Sequence, residues 1–127
     1  MGGKGGMPGG FLAVTSNGST PNTGIVWATA PVSNDANKHV VEGILRAYDA
    51  TALDAQPNAD GTPKLKLLWD SKNIPRNTFS FSKFCPPVVA DGGVLLPTYD
   101  GRVDVYVLVT PPGGSLPTNT NLAPGDA

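Results

Sequence analysis

The stretch Gly43-Ile44-Leu45-Arg46-Ala47-Tyr48-Asp49-Ala50, answered by Leu67-Leu68-Trp69-Asp70-Ser71, constrains the fold of this chain more than any other. A glycine, alternating apolar positions, an aromatic-Asp pair and a following Leu-Trp strand make one rung of a repeated β architecture. Alternation at period two sends successive side chains to opposite faces of a sheet. Sixteen glycines and 13 prolines among 127 residues require frequent turns and leave little room for long helices. A chain of this length is one domain or part of one.

Charge excludes some partners. Nine basic residues against ten acidic ones give a net charge of -1, and the basic residues are scattered. Nucleic-acid and anionic-membrane surfaces need clustered Lys and Arg, so neither is expected. No stretch approaches the roughly 20 apolar residues of a membrane span. The glycine-dominated residues 1–9 form a flexible lead-in without the apolar core of a secretory signal, and taken literally this describes an unexported chain.

Strands are expected at residues 10–16, 24–31, 43–49 and 64–71, the second followed by a polar loop at 32–42 that holds His39. Residues 50–63 begin like a short helical turn at Ala52-Leu53-Asp54-Ala55 and continue as an excursion through Pro57, Asp60-Gly61 and Pro63. A polar connector at 72–83 precedes a second series. A strand at 84–90 is entered through Pro86-Pro87, which must lie at a strand start or an edge. Asp91-Gly92-Gly93 makes a tight turn, 94–99 runs back, and Asp100-Gly101 turns in the manner of a two-residue hairpin. In 102–109, Val103, Val105 and Val107 alternate with Arg102, Asp104 and Tyr106. The Pro/Gly/Thr/Asn tail at 110–127 has almost nothing to bury and reads as disordered.

The two series repeat. Gly24 to Thr29 matches Gly93 to Thr98 at an offset of 69, and Gly43 to Tyr48 matches Gly101 to Tyr106 at an offset of 58. The difference lies in the long loop after Pro31, as in repeat proteins whose insertions are confined to loops. The organisation is therefore a first unit at 10–71, the connector at 72–83 and a second unit at 84–109.

Little chemistry is encoded. His39 is the sole histidine and sits beside Lys38, so it is expected to face solvent; no Ser-His-Asp system can be built around it with redundancy. Cys85, between Phe84 and Pro86, is expected to be a buried free thiol, with no second cysteine for a disulfide. Asp35, Asp49, Asp91, Asp100 and Asp104 fall where turn hydrogen bonds favour Asp, and no calcium-loop spacing is present. Gly2 to Gly10 lacks the Gly-Lys-Ser/Thr ending of a phosphate loop, and Asn17-Gly18-Ser19 is a turn signal that also fits a glycosylation sequon. No catalytic, cofactor-binding or metal-ligating residue is assigned.

From Phe11 to Leu108 the chain resembles the C-terminal two blades of a PQQ-like, quinoprotein-type β-propeller. The first copy is similar to that family's Gly-x-Leu-x-Ala-aromatic-Asp-Ala strand and Leu-Trp strand, and the second to its Pro-Pro-Val-Val-Ala-x-Gly-Gly-Val strand pair. A departure is that Thr51 is followed by Ala52-Leu53 and a long insertion where the family has a short turn. The resemblance implies an all-β fold of about seven antiparallel strands in two consecutive blades, with Trp69 packed between them as structural core. The last blade would lack its outer strand.

Propellers close with about four to eight blades, so the resemblance implies a fragment of a larger, exported bacterial propeller. The remaining blades, another copy of the chain or other proteins would be its partners. Quinoprotein enzymes bind the quinone at the axis with metal-ligating carboxylates, a catalytic aspartate and, in alcohol dehydrogenases, adjacent cysteines; none maps here. A non-catalytic scaffold or protein-interaction surface is the expected role. The alternatives are part of an oxidoreductase whose active residues lie in upstream blades, and a stand-alone β-sandwich binding module with Greek-key crossings.

Overall fold

The computed structural model describes residues 9–108 and the strand Leu122–Gly125. The lead-in up to residue 8, and tail residues 109–121 and 126–127, lie outside the described residues. The protein is all-β, and the described residues add one short 3-10 turn, η1 (Ser71–Asn73). The strands are β1 (Phe11–Thr15), β2 (Ile25–Pro31), β3 (Gly43–Leu53), β4 (Leu65–Asp70), β5 (Val88–Ala90), β6 (Gly93–Pro97), β7 (Val103–Leu108) and β8 (Leu122–Gly125). They form two four-stranded antiparallel sheets in sequential order, β1-β2-β3-β4 and β5-β6-β7-β8. Neither order contains the Greek-key crossing that a sandwich reading requires.

Each sheet is a chain of hairpins whose turns follow local chemistry. Ala90 pairs with Gly93 across Asp91 and Gly92, both at positive φ (48° and 75°), the geometry of a two-residue primed turn. The β6–β7 connection is not a two-residue hairpin. Pro97 pairs with Val103, Gly101 N–H donates to Thr98 C=O (3.3 Å), and Thr98 N–H donates to Arg102 C=O (3.0 Å). With Gly101 at φ 77°, this is a turn closed by a glycine bulge, which Asp-Gly serves equally well.

The helical turn expected at Ala52–Ala55 is absent. Asp49 Oδ1 accepts from Thr51 N–H (2.8 Å) and Thr51 Oγ1 (2.7 Å), the register of β3 against β4 shifts at this point, and pairing resumes at Leu53 opposite Leu65. The strand therefore bulges and continues where local propensity suggested a helix. The strand expected at 84–90 shrinks to Val88–Ala90. Phe84 has φ 65°, and the two prolines that follow offer no N–H to a ladder.

The second sheet is not left without an outer strand. Leu122–Gly125 pairs with β7 through Leu108↔Leu122, Val107↔Ala123, Tyr106↔Pro124 and Val105↔Gly125. An edge position tolerates Pro124, and a backbone ladder needs no apolar run to form, so composition hid this strand.

The sheets pack through Trp27, Leu45, Ala47 and Trp69 of the first, Phe79 of the connector, and Val94, Leu96 and Tyr106 of the second. Trp69, 2% exposed, meets the wholly buried Tyr106 edge to face at 5.7 Å between ring centres. Such contacts add about 0.5–1.5 kcal/mol beyond the area they bury. Asn77 Nδ2 donates to Tyr106 OH (3.0 Å), which satisfies the buried hydroxyl. The alternation in β7 thus resolves with the Asp104/Tyr106 face inward and the valine face outward, Val103 being 46% exposed.

The ladders also correct the repeat. Val26 lies opposite Tyr48, and Val94 opposite Tyr106. If Tyr48 corresponds to Tyr106, at the offset of 58, then Val26 corresponds to Val94, at 68 and not 69. A slip of one residue exchanges the two faces of a strand, so the correction decides which faces correspond.

Candidate functional site

The residues that could carry chemistry do not converge. His39 is exposed in the loop after β2, where its N–H donates to Asp35 C=O (3.0 Å). With Lys38, Lys83, Phe81 and Tyr99 it borders a hollow of about 160 Å³. Lys83 Nζ is satisfied there by Asn37 C=O (3.4 Å), and Lys38 lies 3.9 Å from Asp35. Cys85 is a free thiol, half-buried and not fully buried: it sits in the loop before β5, and Ser82 Oγ donates to its Sγ (3.3 Å). Among the described residues, no group of three or more His, Cys, Asp or Glu could hold a metal ion.

The aspartates are engaged locally. Asp35, Asp49, Asp54 and Asp60 each accept the backbone N–H two residues ahead, and Asp70 does the same for Lys72 at the start of η1. Hydrogen bonds from Thr51 to Asp49, from the Gln56 backbone to Asp54, and from Thr62 to Asp60 hold these carboxyls below the usual aspartate range. Asp91 occupies its turn. Asn17 begins an exposed turn closed by Thr20 N–H to Asn17 C=O (3.0 Å).

Asp100, Arg102 and Asp104 do more than make a turn. Arg102 donates to Thr78 C=O (2.7 Å) and Asp104 Oδ1 (2.7 Å), and lies 3.8 Å from Asp100. Asp100 Oδ2 accepts Ser80 N–H (2.6 Å), which is the leading cause of its lowered pKa. The same connector donates Phe81 N–H to Val41 C=O and accepts Gly43 N–H at Phe79 C=O. Residues 78–81 are therefore stitched to β3 on one side and to the β6–β7 turn on the other, latching the sheets together. Sequence reading missed Asn77, Ser80 and Arg102 in this role; their partners are 20 to 29 residues distant, and no local signal marks them.

The feature most open to a partner is a pair of apolar rows, one on the outer face of each sheet. On the outer face of the first sheet, Val14, Val26, Tyr48 and Leu67 form one cross-strand row; Val14 is 69% exposed. Leu12, Val26, Ala28 and Tyr48 line a hollow of about 250 Å³ there, walled on its other side by Asn58, Pro63, Lys64 and Leu65. On the outer face of the second sheet lie Val88, Leu95, Val103, Val105 and Val107, with no charged residue among the paired positions of β5, β6 and β7. A sheet with one wetted face places polar side chains on it. The outer face of the second sheet lacks that pattern, and the first sheet's carries it only in the neighbouring row Leu12–Ala28–Arg46–Asp70. No helix among the described residues is long and apolar enough to cross a membrane.

No family model matches the chain. Neither the curated proteins nor the solved structures give a match.

Proposed function

We propose that the chain is a non-catalytic pair of β-propeller blades of the PQQ-like kind, acting as a scaffold or protein-interaction surface. The observation that carries this reading is the repeated four-stranded sequential meander, stacked with the Trp69 face of one sheet on the Tyr106 face of the next. Corresponding residues Tyr48 and Tyr106 lie on opposite sides of this stack: Tyr106 inside it, Tyr48 on the far face of its own sheet. Blades arranged around an axis pack in this sense, each laying one face on the other face of its neighbour. β1 also lies beside β5, which supports first strands clustered on a common inner side.

The alternative, part of a quinone oxidoreductase, places its active residues in other blades; the scaffold reading rests on the stacked meanders of this chain. An exported bacterial setting rests on the family resemblance alone. Two blades leave sheet faces that a ring would cover, so the chain should associate as concentration rises. Sedimentation velocity over a hundredfold range of concentration tests this. A monodisperse, cooperatively melting monomer throughout refutes the reading.

A further inference from the structure

The two open faces are the two halves of an interface the molecule already contains. In the second sheet the cross-strand row Val89–Val94–Tyr106 is covered by the first sheet, with Val94 and Tyr106 fully buried and Val89 packed on the core. In the first sheet the row Val14–Val26–Tyr48 has the same three residue types in the same strand order, and it is left partly open: Val14 is exposed, and Asn58, Pro63, Lys64 and Leu65 wall one side of the hollow above Val26 and Tyr48. The converse holds on the other faces. The first sheet's Ala13–Trp27–Ala47–Trp69 row supplies the covering surface, and its counterpart in the second sheet, Val88–Leu95–Val105, faces outward.

We infer that the occupant of these faces is a second copy of this chain, bound head to tail: the outer face of one copy's second sheet lies on the outer face of the next copy's first sheet. This rests on the blade reading above and adds the identity and polarity of the partner. Three observations select a second copy. The same Val-Val-Tyr row is buried by this type of surface within the chain. Each outer face carries an apolar row that is at least partly exposed, Val14–Val26–Tyr48 on the first sheet and Val88–Leu95–Val105 on the second, and one copy offers one of each kind. The new contact also continues the existing stack in the same sense.

Such an interface is heterologous, so it propagates until rotation closes a ring. Closure at roughly four to eight blades corresponds to about two to four copies. Where the first sheet presents Trp27 and Trp69, the second presents Leu95 and, at the β8 position, Gly125. The contact between copies buries less aromatic surface than the one within the chain, and association is correspondingly reversible.

The test uses Val14→Lys, which blocks the first-sheet face, and Val88→Lys, which blocks the second-sheet face. Both positions are more than half exposed, at 69% and 53%, so neither ammonium is buried in the single chain. Each variant alone should sediment as a monomer at concentrations where the wild type associates. An equimolar mixture should form a 1:1 pair, because one intact face of each kind remains.

Association of either variant alone to the wild-type extent overturns the head-to-tail arrangement while leaving the blade reading standing. A mixture that stays monomeric does the same. A monomeric wild type overturns both. Leu12→Lys and Val103→Lys probe the same two faces, should circular dichroism show that a first-choice variant fails to fold.

Discussion

Trp69 and Tyr106 offer the most direct test of how the two sheets are joined. Replacing a buried aromatic by alanine costs about 3–5 kcal/mol through lost burial and the cavity left behind. For Trp69 the cost should be lower, about 2–4 kcal/mol, because its indole Nε1–H is buried with no hydrogen-bond partner among the described residues, and removing it relieves about 1–3 kcal/mol of desolvation that is partly reclaimed. Tyr106→Ala should cost about 3–5 kcal/mol, since it removes a wholly buried ring and the partner of Asn77.

The informative quantity is the coupling. The two rings touch, so once either is gone the other has already lost its cross-sheet contact. The double variant should then fall short of the sum of the single effects by about 1 kcal/mol or more. Urea denaturation followed by far-ultraviolet circular dichroism measures all four proteins, and Trp69→Phe with Tyr106→Phe provides a milder cycle should alanine leave too little folded chain. Single effects that add within about 0.5 kcal/mol would show that this contact does not join the sheets.

Gly43→Ala should destabilise by about 1–3 kcal/mol and shift the denaturation midpoint without changing the slope, because a Cβ there would strike the buried Phe79 ring. Arg102→Leu should loosen the latch, seen as faster amide exchange at Ser80 and Tyr99 with little change in the β2–β3 ladder. Acid should weaken the fold in a definite window. The carboxyls of Asp49, Asp54, Asp60 and Asp100 are held below the usual range, so as pH falls the unfolded chain takes up their protons first. Their contribution is full above about pH 4 and is lost below it, and Asp100→Asn should flatten that decline in urea midpoints measured against pH. Burial raises the Tyr106 hydroxyl above its ordinary value near 10, so stability should also fall as pH rises through about 10, and Tyr106→Phe should remove that alkaline loss.

The strands themselves were legible wherever the side chains carry a period. Gly43 to Asp49 and Val103 to Leu108 announce themselves by alternation, Ile25 to Pro31 by its apolar centre, and all three by the turns that bound them. Two kinds of feature were not. β8 has no apolar pattern, since at the edge its ladder is formed by backbone alone, and the extension of β3 through Thr51 to Leu53 depends on a bulge set by the Asp49 carboxylate. The latch through Asn77, Ser80 and Arg102 was hidden for a different reason: each residue looks like an ordinary polar loop residue until the chain brings its partner near.

By itself, the sequence determined that this chain is all-β and built twice from one pattern, because glycine and proline spacing limits element length and period two fixes strand character locally. Which side of each strand is buried was decided only in three dimensions. Val103, Val105 and Val107 look like a core face and Arg102, Asp104 and Tyr106 like a wet one, yet Tyr106 is sealed against Trp69 while Val103 meets solvent. Alternation states that a strand has two faces. Only the surface laid against it, here the tryptophan face of the preceding sheet, selects the one that goes inside.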